Sequence, residues 1–237
     1  MLKIGNFAVP SPAQWEMTIE GMRSAMNSWD RSDSRKLWGD PYCAPDDFDL
    51  GPNDRDLAMR LNKGGAPHAK YRRYLPVHVT VTAPLYWWKE FETYRIGVAS
   101  NPSDIEFNSC STMHKIHAKP FSREDFSTEH IINDINKLDE VLDMDDFDLT
   151  ALNVMDCNIS MLNILRTNFI ETKDKKYWYS MIQLLPSSYN QRRTIKMNYQ
   201  VLYEIYEWRR NHKLDEWHTF CHWIEELPYS ELIIGEK

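Results

Sequence analysis

The run Leu75 to Thr82 (LPVHVTVT) constrains the fold more than any other part of this sequence. Apolar and polar side chains alternate along it, so an extended chain presents one apolar side and one polar side. The apolar side consists of Leu75, Val77, Val79 and Val81, and the polar side of His78, Thr80 and Thr82. This period of two predicts a half-buried β-strand. Pro84 is expected to end it, because proline has no backbone N–H to donate to a neighbouring strand.

A short aromatic helix is predicted directly after this strand, from Tyr86 to Tyr94. Trp87, Phe91 and Tyr94 share one side of it, with Trp88 beside them, because residues three and four apart are neighbours on a helix. Two adjacent tryptophan rings are costly to expose, so something is expected to cover them. Three coverings are open: the protein core, an interface between subunits, or a flat ligand.

Apolar periodicity predicts one further strand, Leu2 to Val9, and seven further helices. The helices are predicted at 13–27, 54–61, 129–142, 150–170, 176–185, 192–211 and 214–226. The first of them carries an apolar stripe, Trp15, Ile19, Met22 and Met26, that is expected to face the core. The pattern predicts an α/β (α+β) fold in which helices flank a central mixed or antiparallel sheet, with a helical C-terminal half. With 237 residues, of which 42% are hydrophobic, we expect one domain with one sizeable core.

Three segments are predicted to be loops. Residues 30–53 are rich in Asp, Pro, Gly and Ser and form an expected surface loop, and residues 101–107 form a second loop. The acidic run 143–148 is interpreted as a solvated connection. It lacks the glycine and the terminal glutamate of a calcium-binding loop, so no metal is assigned to it.

Charge and cysteine usage limit the class of protein. The formal net charge is -7 and the pI is near 5.6, which argues against a dedicated nucleic-acid binder with a basic surface. The four cysteines are scattered without a C-x-x-C pair, which favours reduced thiols. No apolar run reaches the roughly 20 residues that a membrane span needs, and the start of the chain lacks the apolar core of a signal peptide. We therefore expect a cytoplasmic protein in which any phosphate is bound by a local set of residues.

The predicted helix 192–211 carries polar residues on an otherwise apolar stripe. Asn198, Leu202, Ile205 and Arg209 lie four, three and four residues apart, which puts all four on one side of a helix. Polar groups on such a side need partners. Two interpretations are open: both groups are satisfied inside the protein, or they bind an anionic, carbonyl-bearing ligand in a cleft. The sequence contains neither a P-loop nor a G-x-G-x-x-G motif, so a nucleotide would need a less common site.

Several segments together resemble the flavin-dependent thymidylate synthase family over roughly residues 20 to 225. They are AMNSW (25–29), GAPHAKYRR (65–73), VHVTVTAPLYWWKEFETYR (77–95), NSCSTM (108–113), the pair Leu185-Pro186, the eleven-residue interval from Asn198 to Arg209, and LDEW (214–217). The resemblance implies a homotetramer that binds FAD and deoxyuridine monophosphate (dUMP) and acts as a methyltransferase in nucleotide biosynthesis. In the family the flavin hydride performs the reduction. The folate donor is left unassigned.

The resemblance also implies roles for individual residues. Ser111 and Arg209 would act at the catalytic site, and Ser111, Ser109 and Arg209 would bind the nucleotide. Four residues would contact the cofactor: Arg95, Asn198, Trp88 and Tyr94.

This chain departs from the family pattern where the family grips FAD. The family's Arg-His-Arg signature falls on Thr93-Tyr94-Arg95, and the arginine that follows its serine falls on Met113. The segment 101–107 is inserted between the two halves of the signature. Three hypotheses follow: a divergent enzyme of this type, a catalytically inactive nucleotide-binding or assembly protein that lost the FAD grip, or a protein whose acidic and aromatic surface binds another protein.

Overall fold

The computed structural model describes residues 1–37, 47–97, 104–132 and 150–235, without the side chains of 95–97. The strands are β1 (Lys3–Ala8), β2 (Arg35–Lys36), β3 (Phe48–Asp49), β4 (Pro76–Pro84), β5 (Glu106–Ser109) and β6 (Asn190–Asn198). The α-helices are α1 (Pro12–Ser24), α2 (Pro52–Lys63), α3 (Leu85–Gly97), α4 (Ala151–Thr172), α5 (Lys175–Leu184), α6 (Tyr199–Arg209), α7 (Asp215–Glu225) and α8 (Glu231–Ile234). No helix in the described ranges is both long and apolar enough to cross a membrane.

The main sheet has four strands in the order β1-β4-β6-β5, and β2 and β3 form a separate antiparallel pair. The predicted mixed α/β class is confirmed. The pair β2–β3 lies within the predicted loop 30–53, of which 38–46 fall outside the described residues, and β5 begins within the predicted insertion 101–107. The acidic connection 143–148 also lies outside the described residues.

The chain divides into two compact units. The first contains Met1, Thr82–Lys89 and Ser109–Arg192. The second contains Leu2–Val81, Glu90–Asn108 and Arg193–Lys237.

The predicted central strand is confirmed as β4. Val77, Val79 and Val81 are buried, whereas His78 between them is exposed. The alternation of the sequence therefore corresponds to two different faces of the sheet. Helix α3 begins directly after Pro84, as predicted.

The prediction of one helix over 192–211 is wrong, because residues Asn190–Asn198 form strand β6 and only Tyr199–Arg209 are helical. In β6 the buried side chains alternate with exposed ones, which is the period of a strand. The buried positions of this alternation are Gln191, Arg193, Ile195 and Met197, and the last residue of the strand, Asn198, is buried as well. Because Gln191 and Arg193 are polar, hydropathy did not reveal this alternation.

Helix α1 is confirmed with one correction. It begins at a capping box, in which the Ser11 side chain accepts from the Gln14 N–H and the Gln14 side chain accepts from the Ser11 N–H. Trp15 is buried as predicted, but Met26 is exposed. The reason is that α1 ends at Ser24, so Met26 no longer follows the helical stripe.

The first unit has its own apolar core around α4 and α5. Seven buried residues form it: Ile116, Phe121, Phe126, Ile159, Leu162, Met181 and Tyr189. Helix α4 is preceded by its N-cap Thr150, whose side chain accepts from the Asn153 N–H. The predicted helices 150–170 and 176–185 are thereby confirmed. Of the predicted helix 129–142, residues 129–132 are not helical and 133–142 lie outside the described residues.

The second unit is built around aromatic contacts. The Trp15 ring meets Tyr199 and Tyr229 edge-on at centroid distances of 5.7 and 5.2 Å. A second set joins α3 to α7, where Phe91 lies 6.3 Å from Trp217 with nearly parallel rings. These contacts hold α6 against α1, and α7 against the C-terminal part of α3.

Candidate functional site

Asn198 is the N-cap of α6. Its side-chain oxygen accepts a hydrogen bond from the backbone N–H of Val201 at 3.0 Å, which satisfies one of the free N–H groups at the helix start. The residue is buried, with 6% of its surface exposed. The cap thus uses the oxygen of the carboxamide and leaves the amide nitrogen for a ligand.

Arg209 ends the same helix and lies between two aromatic rings. Its guanidinium carbon is 4.9 Å from the centroid of the Trp217 ring and 5.3 Å from that of Tyr94. Such contacts hold a cation in place through the negative faces of the rings. The side chain is 20% exposed, and its Nε is buried without a hydrogen-bond partner in the described part of the chain.

One carboxylate oxygen of Glu90 lies close to three nitrogen atoms. Trp217 Nε1 donates to Glu90 Oε2 at 3.0 Å, and Arg209 Nη1 and His212 Nε2 both lie 3.5 Å from the same oxygen. His212 Nδ1 accepts from the Leu214 N–H, so in the neutral ring the proton is assigned to Nε2, which faces Glu90. Arg209 therefore already has an anionic neighbour within the protein.

Tyr94 is a buried member of this cluster. Burial raises the pKa of Tyr94, although the guanidinium of Arg209 acts in the opposite direction. The phenol is therefore neutral at physiological pH and cannot serve as an anion there. Its ring supports Arg209, at the position where the resemblance places a histidine.

The two tryptophans of α3 are buried side by side. Their rings meet at a centroid distance of 4.8 Å, and Trp88 is 1% exposed. Trp88 Nε1 donates to the backbone carbonyl of Gln191 at 2.9 Å. Of the three coverings considered for these rings, the structure corresponds to the protein core.

Ser109 and Ser111 lie on an exposed segment at the end of β5. The Ser111 hydroxyl oxygen accepts from the N–H groups of Met113 and Lys115 at 3.3 and 3.2 Å, which leaves its proton available to a ligand. Between the serines, the Cys110 N–H donates to the carbonyl of Arg192 at 2.9 Å. The exposed Arg192 thus lies on the strand beside this segment.

The predicted site residues fall in different units. Ser109, Ser111 and Trp88 belong to the first unit, whereas Asn198, Tyr94 and Arg209 belong to the second. Within the second unit Arg209 and Tyr94 are in contact. The side chain of Arg95 lies outside the described residues.

The described side chains at the signature positions do not fit an FAD diphosphate. Thr93 uses its hydroxyl to donate to the carbonyl of Glu90 at 2.6 Å, Tyr94 is buried and neutral, and Met113 has no charge. A diphosphate needs cations or several N–H donors. Two other arginines, Arg193 and Arg72, are already engaged within the protein. Arg193 forms an ion pair with Glu92 at 2.6 Å, and the buried Arg72 donates from its Nε to the carbonyl of Leu232.

Comparison with solved structures identifies the fold. Two crystal structures from Helicobacter pylori superpose on this chain with a TM-score of 0.60. One is thymidylate synthase X (ThyX) with FAD and dUMP. The other is flavin-dependent thymidylate synthase ThyX complexed with FAD and dUMP. The match covers 99% of this chain and 96% or 97% of those chains, at 15% sequence identity. The fold is that of ThyX. The resemblance predicted from the sequence is thus confirmed at the level of the fold.

Sequence comparisons give no further identification, since no protein-family model and no curated protein matches this chain. The ThyX-like fold is therefore carried here by a strongly different sequence.

Three neighbours of Arg209 were not found from the sequence as functional residues: Glu90, His212 and Trp217. Glu90 precedes Arg209 by more than a hundred positions, so no local pattern connects them. Trp217 was part of a segment used for the resemblance, but nothing in the sequence indicated that its indole would donate to Glu90.

Proposed function

We propose that this chain binds a pyrimidine nucleotide of the dUMP type. One observation carries the proposal: essentially the whole chain adopts the fold of two ThyX structures that contain FAD and dUMP. A match over 99% of one chain and at least 96% of the other is a likeness of the complete fold rather than of one shared motif.

Arg209 is the proposed anion contact. A phosphate or an ionised base is recognised by a fixed cation with a free donor. Arg209 meets both conditions, because Trp217 and Tyr94 fix its guanidinium and its Nε has no partner in the described ranges. Glu90 competes with the nucleotide for this cation, so the proposal predicts a modest affinity that rises when Glu90 loses its charge.

The roles implied for the other predicted residues remain proposals. Ser111 retains a hydroxyl proton for the nucleotide, and Ser109 is exposed beside it. Asn198 offers its amide nitrogen to a flavin, because the helix cap uses only its oxygen. Arg95 is the one arginine left at the family signature.

Two forms of this function differ in FAD. The form that we favour binds the nucleotide but lacks the cationic side chains with which the family binds FAD. It is supported by Thr93, Tyr94 and Met113, none of which is a cation. The second form is an FAD-dependent methyltransferase of the thymidylate synthase type. It is supported by the presence of FAD in both ThyX structures.

The absorbance spectrum of the purified protein between 300 and 550 nm separates the two forms. The favoured form predicts a colourless protein that binds dUMP. Added FAD should not co-elute with this protein in gel filtration. Flavin bands that migrate with the protein would refute the favoured form and support the second, which is then tested by dUMP turnover with a folate donor. Absence of dUMP binding with and without FAD would refute both.

We also propose that the chain self-associates through α4. Val154, Cys157, Met161 and Ile164 are exposed and lie three, four and three residues apart, which is the spacing of a helix-pairing seam. Two charged residues of the same helix are engaged within the first unit, Asp156 with Arg123 and Arg166 with the carbonyl of His117.

A second copy of this chain is the partner that fits the stripe. Each copy carries a net charge of -7, so charged faces of two copies repel each other on average. The stripe has no charged member, and two copies can bury it without opposing like charges. A symmetric pairing would bring the same four residues of each copy together.

A further inference from the structure

A second binding site lies beside α1, within the second unit. A pocket of about 200 Å³ opens there, lined among others by Arg23, Trp29, Phe48, Glu16 and Glu20. An engineered protein cavity of about 150 Å³ holds benzene, so this volume accommodates one small ring system. None of these residues belongs to the cluster around Arg209.

The feature that indicates a ligand is a buried guanidinium nitrogen without a partner. Arg23 is 4% exposed, and its Nε donates to Asp54 Oδ1 at 2.6 Å. Its Nη2 is buried and has no hydrogen-bond partner in the described part of the chain. A buried N–H group without an acceptor is costly and rare, so an acceptor atom in the pocket is expected.

Asp54 cannot supply this acceptor, because its second oxygen is already saturated. Asp54 Oδ2 accepts from the hydroxyls of Ser32 and Ser34 at 2.8 and 2.6 Å and from the N–H groups of Asp33 and Ser34. The missing acceptor must therefore come from outside this network. A carbonyl oxygen or a ring nitrogen of a ligand meets the need.

The walls of the pocket favour a planar ring. The indole of Trp29 is 52% exposed and is held by a hydrogen bond from its Nε1 to Ser24 Oγ at 3.1 Å. Phe48 is fixed by the ring of Trp15, which lies nearly parallel to it at 5.9 Å. Two oriented aromatic side chains in one small pocket provide stacking surfaces for a flat ligand.

The rim of the pocket favours hydrogen-bond donors and disfavours anions. Glu16 and Glu20 are exposed carboxylates on α1, and among the described residues only Glu16 has a cationic partner, Lys36. The Ser32 hydroxyl donates its proton to Asp54, so toward the pocket it can only accept. A ligand therefore needs one acceptor for Arg23 and N–H donors for the other groups.

We propose that this pocket binds an uncharged, planar nitrogen heterocycle with a lactam edge, that is, a carbonyl group next to a ring N–H, as in a nucleobase. The carbonyl oxygen accepts from Arg23 Nη2, the ring lies on Trp29, and the N–H groups donate toward Ser32 and the carboxylates. This site is independent of the nucleotide bound through Arg209, whose phosphate the acidic rim would reject.

Hypoxanthine is the probe for this site, and urate is its anionic counterpart. Isothermal titration of the full chain should show saturable hypoxanthine binding and at least about tenfold weaker urate binding, because the rim repels the anion. Trp29→Ala should weaken hypoxanthine binding about tenfold, since stacking on an aromatic ring contributes substantially to the binding of each base. Glu20→Gln should reduce the difference between the affinities for hypoxanthine and for urate.

Trp208→Ala is the matched control, because Trp208 is also an exposed tryptophan and does not line the pocket. This variant should bind hypoxanthine like the unaltered chain, and Trp29→Ala should retain its melting temperature and its affinity for dUMP. Absence of hypoxanthine binding, as expected if only water meets Arg23, would overturn the proposal. Equal binding by Trp29→Ala and the unaltered chain would overturn it as well. Because dUMP is titrated separately, failure here is distinguishable from failure of the nucleotide proposal.

Discussion

Arg209 and Arg23 each lie against a carboxylate, but their surroundings give them different tasks. Arg23 is buried and tied to Asp54, which is held in place by four other hydrogen bonds. Arg209 is partly exposed, and its Nη1 lies 3.5 Å from Glu90 Oε2. This distance is longer than that of a good hydrogen bond, so the ion pair is weak. The first pair stabilises the fold, whereas the second leaves a cation that a ligand can capture.

Arg209→Ala is expected to weaken dUMP binding about tenfold or more, because a charge-assisted hydrogen bond is removed. Arg210→Ala is the matched control, since Arg210 is the neighbouring arginine and pairs with Glu207 and the Tyr206 ring on its own helix side rather than with Glu90. Calorimetric titration with dUMP measures both variants, and their melting temperatures report whether the fold is intact. Equal affinities of the two variants would remove Arg209 from the site.

Glu90→Gln tests the competition for Arg209 from the other side. The neutral amide keeps an oxygen that can accept from the Trp217 indole but removes the negative charge beside the guanidinium. We expect the affinity for dUMP to rise severalfold, with little change in stability, because Glu90 is partly exposed. A fall in affinity would mean that Glu90 holds Arg209 in its binding position.

Asp54 is a buried carboxylate that contributes to the stability at acid pH. Burial alone would raise the pKa of Asp54, but hydrogen bonds from Ser34, Arg23 and Ser32 together outweigh it and lower the pKa below the ordinary 3.8. A carboxylate with a lowered pKa contributes its full stabilisation above the unfolded value and loses it as the pH falls through the folded value. The stability of the chain should therefore decline as the pH falls below the ordinary value of 3.8 toward the lowered pKa of Asp54 in the folded state.

Asp54→Asn should destabilise the fold by about 3–5 kcal/mol at neutral pH, because it leaves the buried charge of Arg23 without its partner. Asp56→Asn on the same helix is the control, since Asp56 forms an exposed pair with Arg60 worth about 0.3–0.5 kcal/mol. Urea unfolding at pH 7 and pH 3 measures both. Similar losses in the two variants would contradict a special role for Asp54.

At the level of elements, the boundary between β6 and α6 depends on Asn198. Asn198→Ala should cost about 1 kcal/mol of unfolding free energy, because the cap of α6 is lost, and Asn198→Asp should cost much less, because aspartate also caps helices. The aspartate variant has no amide nitrogen, so it removes a flavin contact while keeping the cap. Chemical denaturation gives the free energies, and equal losses for Ala and Asp would show that the hydrogen bond to Val201 contributes nothing.

Helix α4 carries the prediction about assembly. Ile164→Glu places a charge on the exposed stripe and should shift sedimentation toward the monomer, because two copies would then oppose like charges. Tyr179→Glu is the control, since Tyr179 is a similarly exposed residue on α5. A monomeric unaltered chain, or equal sedimentation of the two variants, would show that the stripe does not mediate self-association.

The sequence predicted elements best where the buried positions are apolar. Strand β4 and helix α4 followed directly from periodicity, but β6 did not, because Gln191 and Arg193 occupy two of its buried positions. The side chain of Arg193 is accommodated there by Glu92 and the Phe107 ring, which are distant in sequence. Such tertiary contacts override the local pattern and cannot be deduced from it.

At the scale of the whole molecule, the resemblance gave the fold and the structure gave the local environment of the site. The eleven-residue interval from Asn198 to Arg209 was interpreted as one helical stripe, although Asn198 is the last residue of a strand. The interval remains meaningful because it spans the one helix that begins at the cap and ends at the cation. Neither the division into two units nor the pocket beside Arg23 could be predicted, since both depend on segments that are far apart in the chain.

A nucleotide of the dUMP type is the ligand that we propose for this ThyX-like fold. The most direct test is calorimetric titration of the purified chain with dUMP, performed without FAD and again with FAD present. We expect saturable binding that approaches one dUMP per chain and that already occurs without FAD. Absence of binding under both conditions would contradict it.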